Sequence, residues 1–188
     1  MSKFIQKDYE ILKKSFKTAA DEKGIQIYPI DCKNIHPMQS MRLKCLVPLC
    51  EYYNVSKTCP PNIPGVAEFK EALLSYGIGF LVVVREKIKK IEIYQKDFTA
   101  ELKLADMISK LELLAFQHGF YQALGLGVGG CKLCKTCSPQ GEPCRHPFKA
   151  RPSPEGFGID ITELARKAGV DVEWPPKKYV NFIGLMLV

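Results

Sequence analysis

Apolar positions along this chain follow two alternating rhythms. Steps of three and four residues link Ile5, Tyr9, Leu12, Phe16 and Ala19, the spacing of one helical face, and Gly24 stands where such a helix would stop. The same spacing joins Val66, Phe69, Leu73 and Tyr76 ahead of Gly77. It returns in Leu104, Ile108, Leu111, Ala115 and His118, with Asp97 or Thr99 as the opening residue and Gly119 as the stop. A fourth, shorter helix is expected after Asp160, which forms a capping box with Glu163. Its face is Ile161, Leu164, Ala165 and Ala168, and Gly169 follows.

Each helix precedes a strand candidate: Ile25–Ile30, Ile78–Val84, Phe120–Val128 and Tyr179–Val188. The second and fourth are nearly all apolar, as in strands covered on both faces. Residues Ile91–Gln95 alternate and suggest a further edge strand. Alternating helix and strand predicts an α/β fold. The expectation is a single α/β metal-binding domain over residues 1–188, with a parallel or mixed central sheet of about four to five strands flanked by helices.

Two stretches, 32–65 and 129–158, carry no periodicity, and they hold the cysteines. Aperiodic segments of this length within a domain are usually functional. If the strands before them are parallel, both leave the same edge of the sheet, where α/β proteins bind ligands. One shared site is the expectation.

Charge and composition narrow the chemistry. No apolar run approaches the ~20 residues of a membrane span, and the amphipathic start "MSKFIQKDYEILKKSFK" lacks the apolar core of a signal peptide. A cytoplasmic protein is expected, with no membrane partner. In that reducing setting eight cysteines point to metal ligands or catalytic thiols rather than disulfides. The net charge of +7 is scattered in small groups without interleaved aromatics, which argues against nucleic acid. Two oxidised four-cysteine [4Fe–4S] clusters at about −2 each would bring that charge to about +3.

The second segment reads Cys131-x2-Cys134-x2-Cys137-x6-Cys144. Zinc favours paired cysteines, each pair in a tight knuckle. Three cysteines at two-residue gaps with a distant fourth suit a cubane, each thiolate meeting a different iron. Gly125, Gly127, Gly129 and Gly130 lead in, and would let the backbone bend round a cofactor and aim N–H groups at sulfur. They make a poor dinucleotide fingerprint, since no helix follows. The first segment reads Cys45-x4-Cys50-x8-Cys59-Pro60-Pro61, and a proline after a ligand cysteine is a ferredoxin feature. Cys32 stands apart and is expected to be a small buried apolar residue. Arg145, His146, Lys149 and Arg151 follow Cys144. They would raise a cluster's potential or receive an acidic partner, or else form a solvated loop with Arg145 paired to a carboxylate. His118 is expected on a core face, and Trp174 as a packing anchor.

These two segments, "CLVPLCEYYNVSKTCPPNIPG" and "GGCKLCKTCSPQGEPCRHPFKARPSPEGFGIDI", resemble the predicted metal-binding proteins of domain of unknown function 2284, which are widespread in anaerobic bacteria and archaea. The resemblance spans Cys45 to Ile161. It implies metal ligation by Cys45, Cys50, Cys59, Cys131, Cys134, Cys137 and Cys144, and names no reaction. The chain departs from the family pattern at Pro154 and Gly156-Phe157, beside Glu155, whose role stays open. Seven ligands leave three arrangements open. Cys131, Cys134, Cys137 and Cys144 hold one cluster while Cys45, Cys50 and Cys59 hold another with an open iron, or Cys32 completes the second, or outlying cysteines are exchanged.

The functional expectation is an iron–sulfur protein with one or two [4Fe–4S] clusters. It would act in electron transfer, or as an accessory component of a redox enzyme complex, with a redox protein partner. The alternative is a zinc-stabilised protein-interaction module without redox activity. A third possibility is a thiol enzyme with Cys131 and Cys134 as a redox pair, disfavoured because a CxxC dithiol normally opens a helix. No paired carboxylates, nucleophile–base motif or phosphate loop indicate another catalytic site, and the expectation leans towards a carrier or accessory subunit rather than an enzyme.

Overall fold

The computed structural model describes residues 3–88 and 97–188. Among these residues, four strands form one sheet in the order β1-β2-β4-β3. They are β1 (Gln26–Asp31), β2 (Ile78–Lys87), β3 (Leu124–Leu126) and β4 (Tyr179–Leu187). The α-helices are α1 (Lys3–Asp21), α2 (Gln39–Leu43), α3 (Val66–Leu73), α4 (Thr99–Gln117) and α5 (Ile161–Lys167). Short 3-10 turns occupy Cys32–Asn34 and Pro154–Phe157. The candidate strand Ile91–Gln95 lies outside the described residues.

Every strand pair is antiparallel, with Gln26 opposite Val83, Leu81 opposite Leu185, and Leu126 opposite Leu185 from the other side. The expected parallel or mixed sheet is thereby corrected. The reason lies in the connections. The long segment from β1 to β2, and the one from β3 to β4, each return the chain to the side it left, so neighbouring strands run opposite ways. Only α4 carries the chain across, joining β2 to β3 in the same direction with β4 inserted between them. A strand buried on both faces reads as a continuous apolar run whatever its neighbours' direction. That ambiguity is why the sequence suggested a parallel sheet.

Both faces are indeed covered. Phe80, Val82, Val84 and Met186 point to one side and pack on Leu12 and Phe16 of α1 and on Leu104, Ile108 and Leu111 of α4. Leu81, Val83, Ile183, Leu185 and Leu187 point to the other. There they meet Phe69 and Leu73 of α3 and Leu164 and Ala165 of α5. Ile35, Ile63, Phe157 and Ile159, contributed by the cysteine-bearing segments, complete this second layer. Full burial of each such side chain contributes about 1.5–3 kcal/mol, so these segments are fixed to the sheet by their own apolar residues. Phe157 stacks on Phe69 with centroids 4.4 Å apart.

The caps appear in part, with the Asp160 half of the expected capping box present and its Glu163 return bond not formed. Asp160 Oδ1 accepts from the Glu163 N–H at 2.9 Å, and Gly119 and Gly169 end their helices at φ 87° and 85°. Asp97 Oδ1 accepts from the Thr99 N–H at 2.9 Å at the start of α4. His118 is exposed at the end of α4, where Nε2 shares a hydrogen bond of 3.1 Å with Ser15 Oγ. Trp174 is 80% exposed, not the buried packing anchor expected.

β3 is the sheet's weakest attachment, and it leads directly into the second cysteine segment. A Cβ on Gly184 would stand 2.7 Å from the Leu126 carbonyl oxygen, a backbone atom that cannot move without parting β3 from β4. Gly184→Ala is expected to cost about 1–3 kcal/mol. At roughly 2–4 °C per kcal/mol for a chain of this size, thermal denaturation should show the loss directly.

Candidate metal centre

The two cysteine segments leave opposite edges of the sheet, from strands that run in opposite directions, and still converge over one face. Three contacts account for this. The Arg42 guanidinium, on α2, donates from Nη1 to the carbonyls of Pro64 at 2.5 Å and Gly156 at 3.0 Å, and from Nη2 to Ile63 at 3.4 Å. The Tyr52 ring lies flat against Gly130, where no Cβ could fit. Lys132 caps that ring at 4.0 Å from its centroid and donates to the Tyr52 hydroxyl. Gln140 Nε2 donates to the Asn54 carbonyl at 2.8 Å.

The resulting thiols fall into two groups. Cys131, Cys134, Cys137 and Cys144 line one cavity of about 160 Å3, together with Tyr52, Ser56, Thr58 and Ser138. A single water needs only ~10–15 Å3 of such space. Burial pushes the Cys131 thiol above its ordinary range; the Leu133 N–H, donated to its sulfur, opposes this, while Cys144, Cys134 and Cys137 nearby reinforce it. The His146 N–H donates to Cys144 Sγ at 3.3 Å. The Ser138 hydroxyl is buried in this cavity's lining with no hydrogen-bond partner among the described residues.

Cys45, Cys50 and Cys59 form the other group. Burial raises the Cys45 thiol first, then Cys50; Arg42 lowers it and Glu155 raises it again. Burial likewise raises Cys59, against hydrogen bonds from the Ser56 and Thr58 hydroxyls, with Cys50 and Cys45 adding to the rise. Ser56 and Thr58 are themselves buried and share a 3.0 Å hydrogen bond. The Ser56–Thr58 stretch therefore touches both thiol groups, bonding Cys59 on one side and lining the four-cysteine cavity on the other.

Cys32 joins neither group. It is 3% exposed in the core below α3, and burial, with Asp31 beside it, pushes its thiol up to about 12. This matches the expected buried apolar role. All seven other cysteines are half-buried and free. Among the described residues, no three Cys, His, Asp or Glu side chains converge tightly enough for a single metal ion.

The glycines act differently from expectation. The Gly125 N–H donates to Glu112 Oε1 at 2.8 Å and the Gly127 N–H to the Pro152 carbonyl at 2.8 Å, so neither is aimed at sulfur. Among the described residues, N–H groups reach sulfur from Leu133 and His146. Among the described residues Arg145 pairs with no carboxylate; its Nη1 donates to the Thr136 carbonyl at 2.8 Å and closes the loop between Cys137 and Cys144. Lys149 bonds Asp106 at 2.8 Å. His146 is exposed.

Sequence reasoning missed Arg42, Tyr52, Ser56, Thr58, Ser138 and Glu112. Only Glu112 left a trace: it stands four residues after Ile108, on a helical stripe otherwise apolar. Its carboxylate receives Arg151 Nε at 2.7 and 2.9 Å and Arg151 Nη2 at 2.6 Å. Arg151 Nη1 also holds the carbonyls of Pro147 at 3.0 Å and Ala150 at 2.9 Å. The end of the second cysteine segment is thus riveted to α4 and β3 through one ion pair.

A family model described as predicted metal-binding protein (DUF2284) matches residues 28–188. No curated protein and no solved structure matches.

The Glu112 and Arg151 side chains are only 15% and 20% exposed. Glu112→Ala would strand the guanidinium and the Gly125 N–H, at a cost of about 2–4 kcal/mol. The expected result is a lower melting temperature together with reduced metal content per chain, measured on protein purified anaerobically.

Proposed function

The chain belongs to the predicted metal-binding family DUF2284, and from that premise we propose that it is an iron–sulfur protein carrying [4Fe–4S] clusters and passing electrons to a redox partner. The carrying observation is the cavity rimmed by Cys131, Cys134, Cys137 and Cys144. These four thiols border a chamber rather than a point, as the separate corners of a cubane require. Their surroundings suit an anionic sulfur-rich group: the Leu133 and His146 N–H groups reach sulfur, and the unpartnered Ser138 hydroxyl is available as a further donor. Hydrogen bonds of this kind to sulfur tune cluster potential.

Cys45, Cys50 and Cys59 fit a second such group. Their chemistry is the same, and the Ser56–Thr58 stretch shared with the first cavity would put the two in electronic reach of each other. When bound, such clusters supply one-electron redox chemistry. The chain's own residues hold the thiols, limit water through the Tyr52–Lys132 cover, and leave the sulfurs half-exposed for a partner's approach. Lys135 and Arg145, exposed on this loop, favour an acidic partner surface.

Anaerobic purification followed by an absorption spectrum and iron, sulfide and zinc analysis tests the reading. Brown protein with about four or eight irons and matching sulfide is expected. Colourless protein with one or two zincs would overturn it in favour of a structural zinc module. Cys134→Ser should remove the visible absorption of the second-segment cluster and lower stability, since loading and folding are coupled. Cys32→Ala should leave the iron content unchanged.

A further inference from the structure

Three thiols cannot satisfy four iron corners, and the fold places one more donor beside them. We propose that the Glu155 carboxylate is the fourth protein ligand of the group held by Cys45, Cys50 and Cys59. The inference rests on the iron–sulfur reading above and completes the site that reading leaves one donor short.

Two contacts of the neighbouring Gly156 fix the turn that carries Glu155. It lies in the 3-10 turn Pro154–Phe157, whose Gly156 carbonyl is gripped by Arg42 on α2, three residues before Cys45. On the opposite flank, a Cβ on Gly156 would meet Ile63 Cδ1 at 3.0 Å and Pro60 Cδ at 3.8 Å, and Pro60 directly follows Cys59. The turn is therefore wedged between the chain around Cys45 and the chain after Cys59. The Glu155 charge acts directly on the Cys45 thiol.

The carboxyl group itself calls for a partner. Glu155 Oε2 is buried without a hydrogen bond among the described residues, while the Ser153 hydroxyl bonds the carboxyl and orients it. The nearby cation, Arg42, spends its guanidinium on three backbone carbonyls. Burial pushes the Glu155 carboxyl up, and its charged form, with no ion pair among the described residues, is costly; a metal corner would offset that cost. Cys32, the other candidate to complete the set, is buried in the core with Asp31 as its charged neighbour. The four-thiol group needs no such donor. A hard oxygen among soft thiolates would make one iron chemically distinct, more easily lost on oxidation and open to exchange.

The test uses full-length wild type, Glu155→Gln and Glu155→Cys, each purified anaerobically with 57Fe and examined by Mössbauer spectroscopy. Iron is then counted again after ferricyanide oxidation, with EPR for a three-iron cluster. In wild type, about one iron in eight should show oxygen ligation, and Glu155→Cys should convert that iron to the all-sulfur type. Glu155→Gln should lose about one iron per chain on oxidation and develop the three-iron EPR signal. Iron-loaded wild type whose spectrum matches those of both variants would overturn the carboxylate ligand and leave the iron–sulfur reading standing. Should Glu155→Gln fail to fold, the comparison of wild type with Glu155→Cys decides alone. Wild type without iron would overturn the underlying reading itself.

Discussion

Seven half-buried thiols gathered in two groups are the constraint to which the rest of this structure answers. As neutral thiols they are tolerable neighbours. As thiolates each would be opposed first by burial and then by its neighbours' charge, which is why Cys45, Cys59 and Cys131 all sit above the ordinary thiol range. The donors that reach them, from Ser56, Thr58, Leu133 and His146, each offset only part of this. A cation that displaces the protons removes the conflict, so loading and folding are expected to support each other. Without it the thiol groups persist only because other contacts hold the segments in place.

Those contacts are concentrated at few points. Arg42 ties α2 to the turn at Pro154–Phe157, Tyr52 sits on Gly130, and Arg151 fastens the tail of the second segment to Glu112. Each joins residues far apart in sequence, and each uses a polar group where apolar packing alone would leave the segments free to slide. The antiparallel sheet makes them necessary. Because β1 and β3 lie at opposite edges and run in opposite directions, nothing in the sheet itself brings the segments that follow them together. They meet by crossing the face built from Leu81, Val83, Leu185 and Leu187, anchored there by Ile35, Ile63, Phe157 and Ile159.

This explains what the sequence could and could not convey. Helix faces such as Leu104-Ile108-Leu111-Ala115 are written locally, as are the stops at Gly119 and Gly169 and the Asp160 cap, and they appear in the structure as read. Strand direction is not local. The apolar runs at 78–84 and 179–188 announce two covered faces and are silent on which way the neighbours run. β3 was overread, from Phe120–Val128 down to Leu124–Leu126, because its apolar flanks pack in loops. The thiol groups themselves were legible from spacing, as was the isolation of Cys32. Their surroundings were not: Ser56, Ser138 and Tyr52 look like ordinary loop residues until the two segments are brought face to face.

A second line of evidence for the site owes nothing to cysteine spacing. Folded proteins leave very few buried polar atoms without a partner. Among the described residues four side-chain atoms are in that position: Glu101 Oε2, Ser138 Oγ, Glu155 Oε2 and Asn181 Oδ1. Three of them border the thiol groups. Ser138 lines the four-cysteine cavity, Glu155 acts on Cys45, and Glu101 shares a small cavity with Cys131 and Lys132. Unsatisfied polar atoms cost about 1–3 kcal/mol each, and three of the four here lie beside the thiol groups, where a bound group would satisfy them. The thiols and three of the orphaned oxygens border the same two segments, and a bound metal group would relieve both costs.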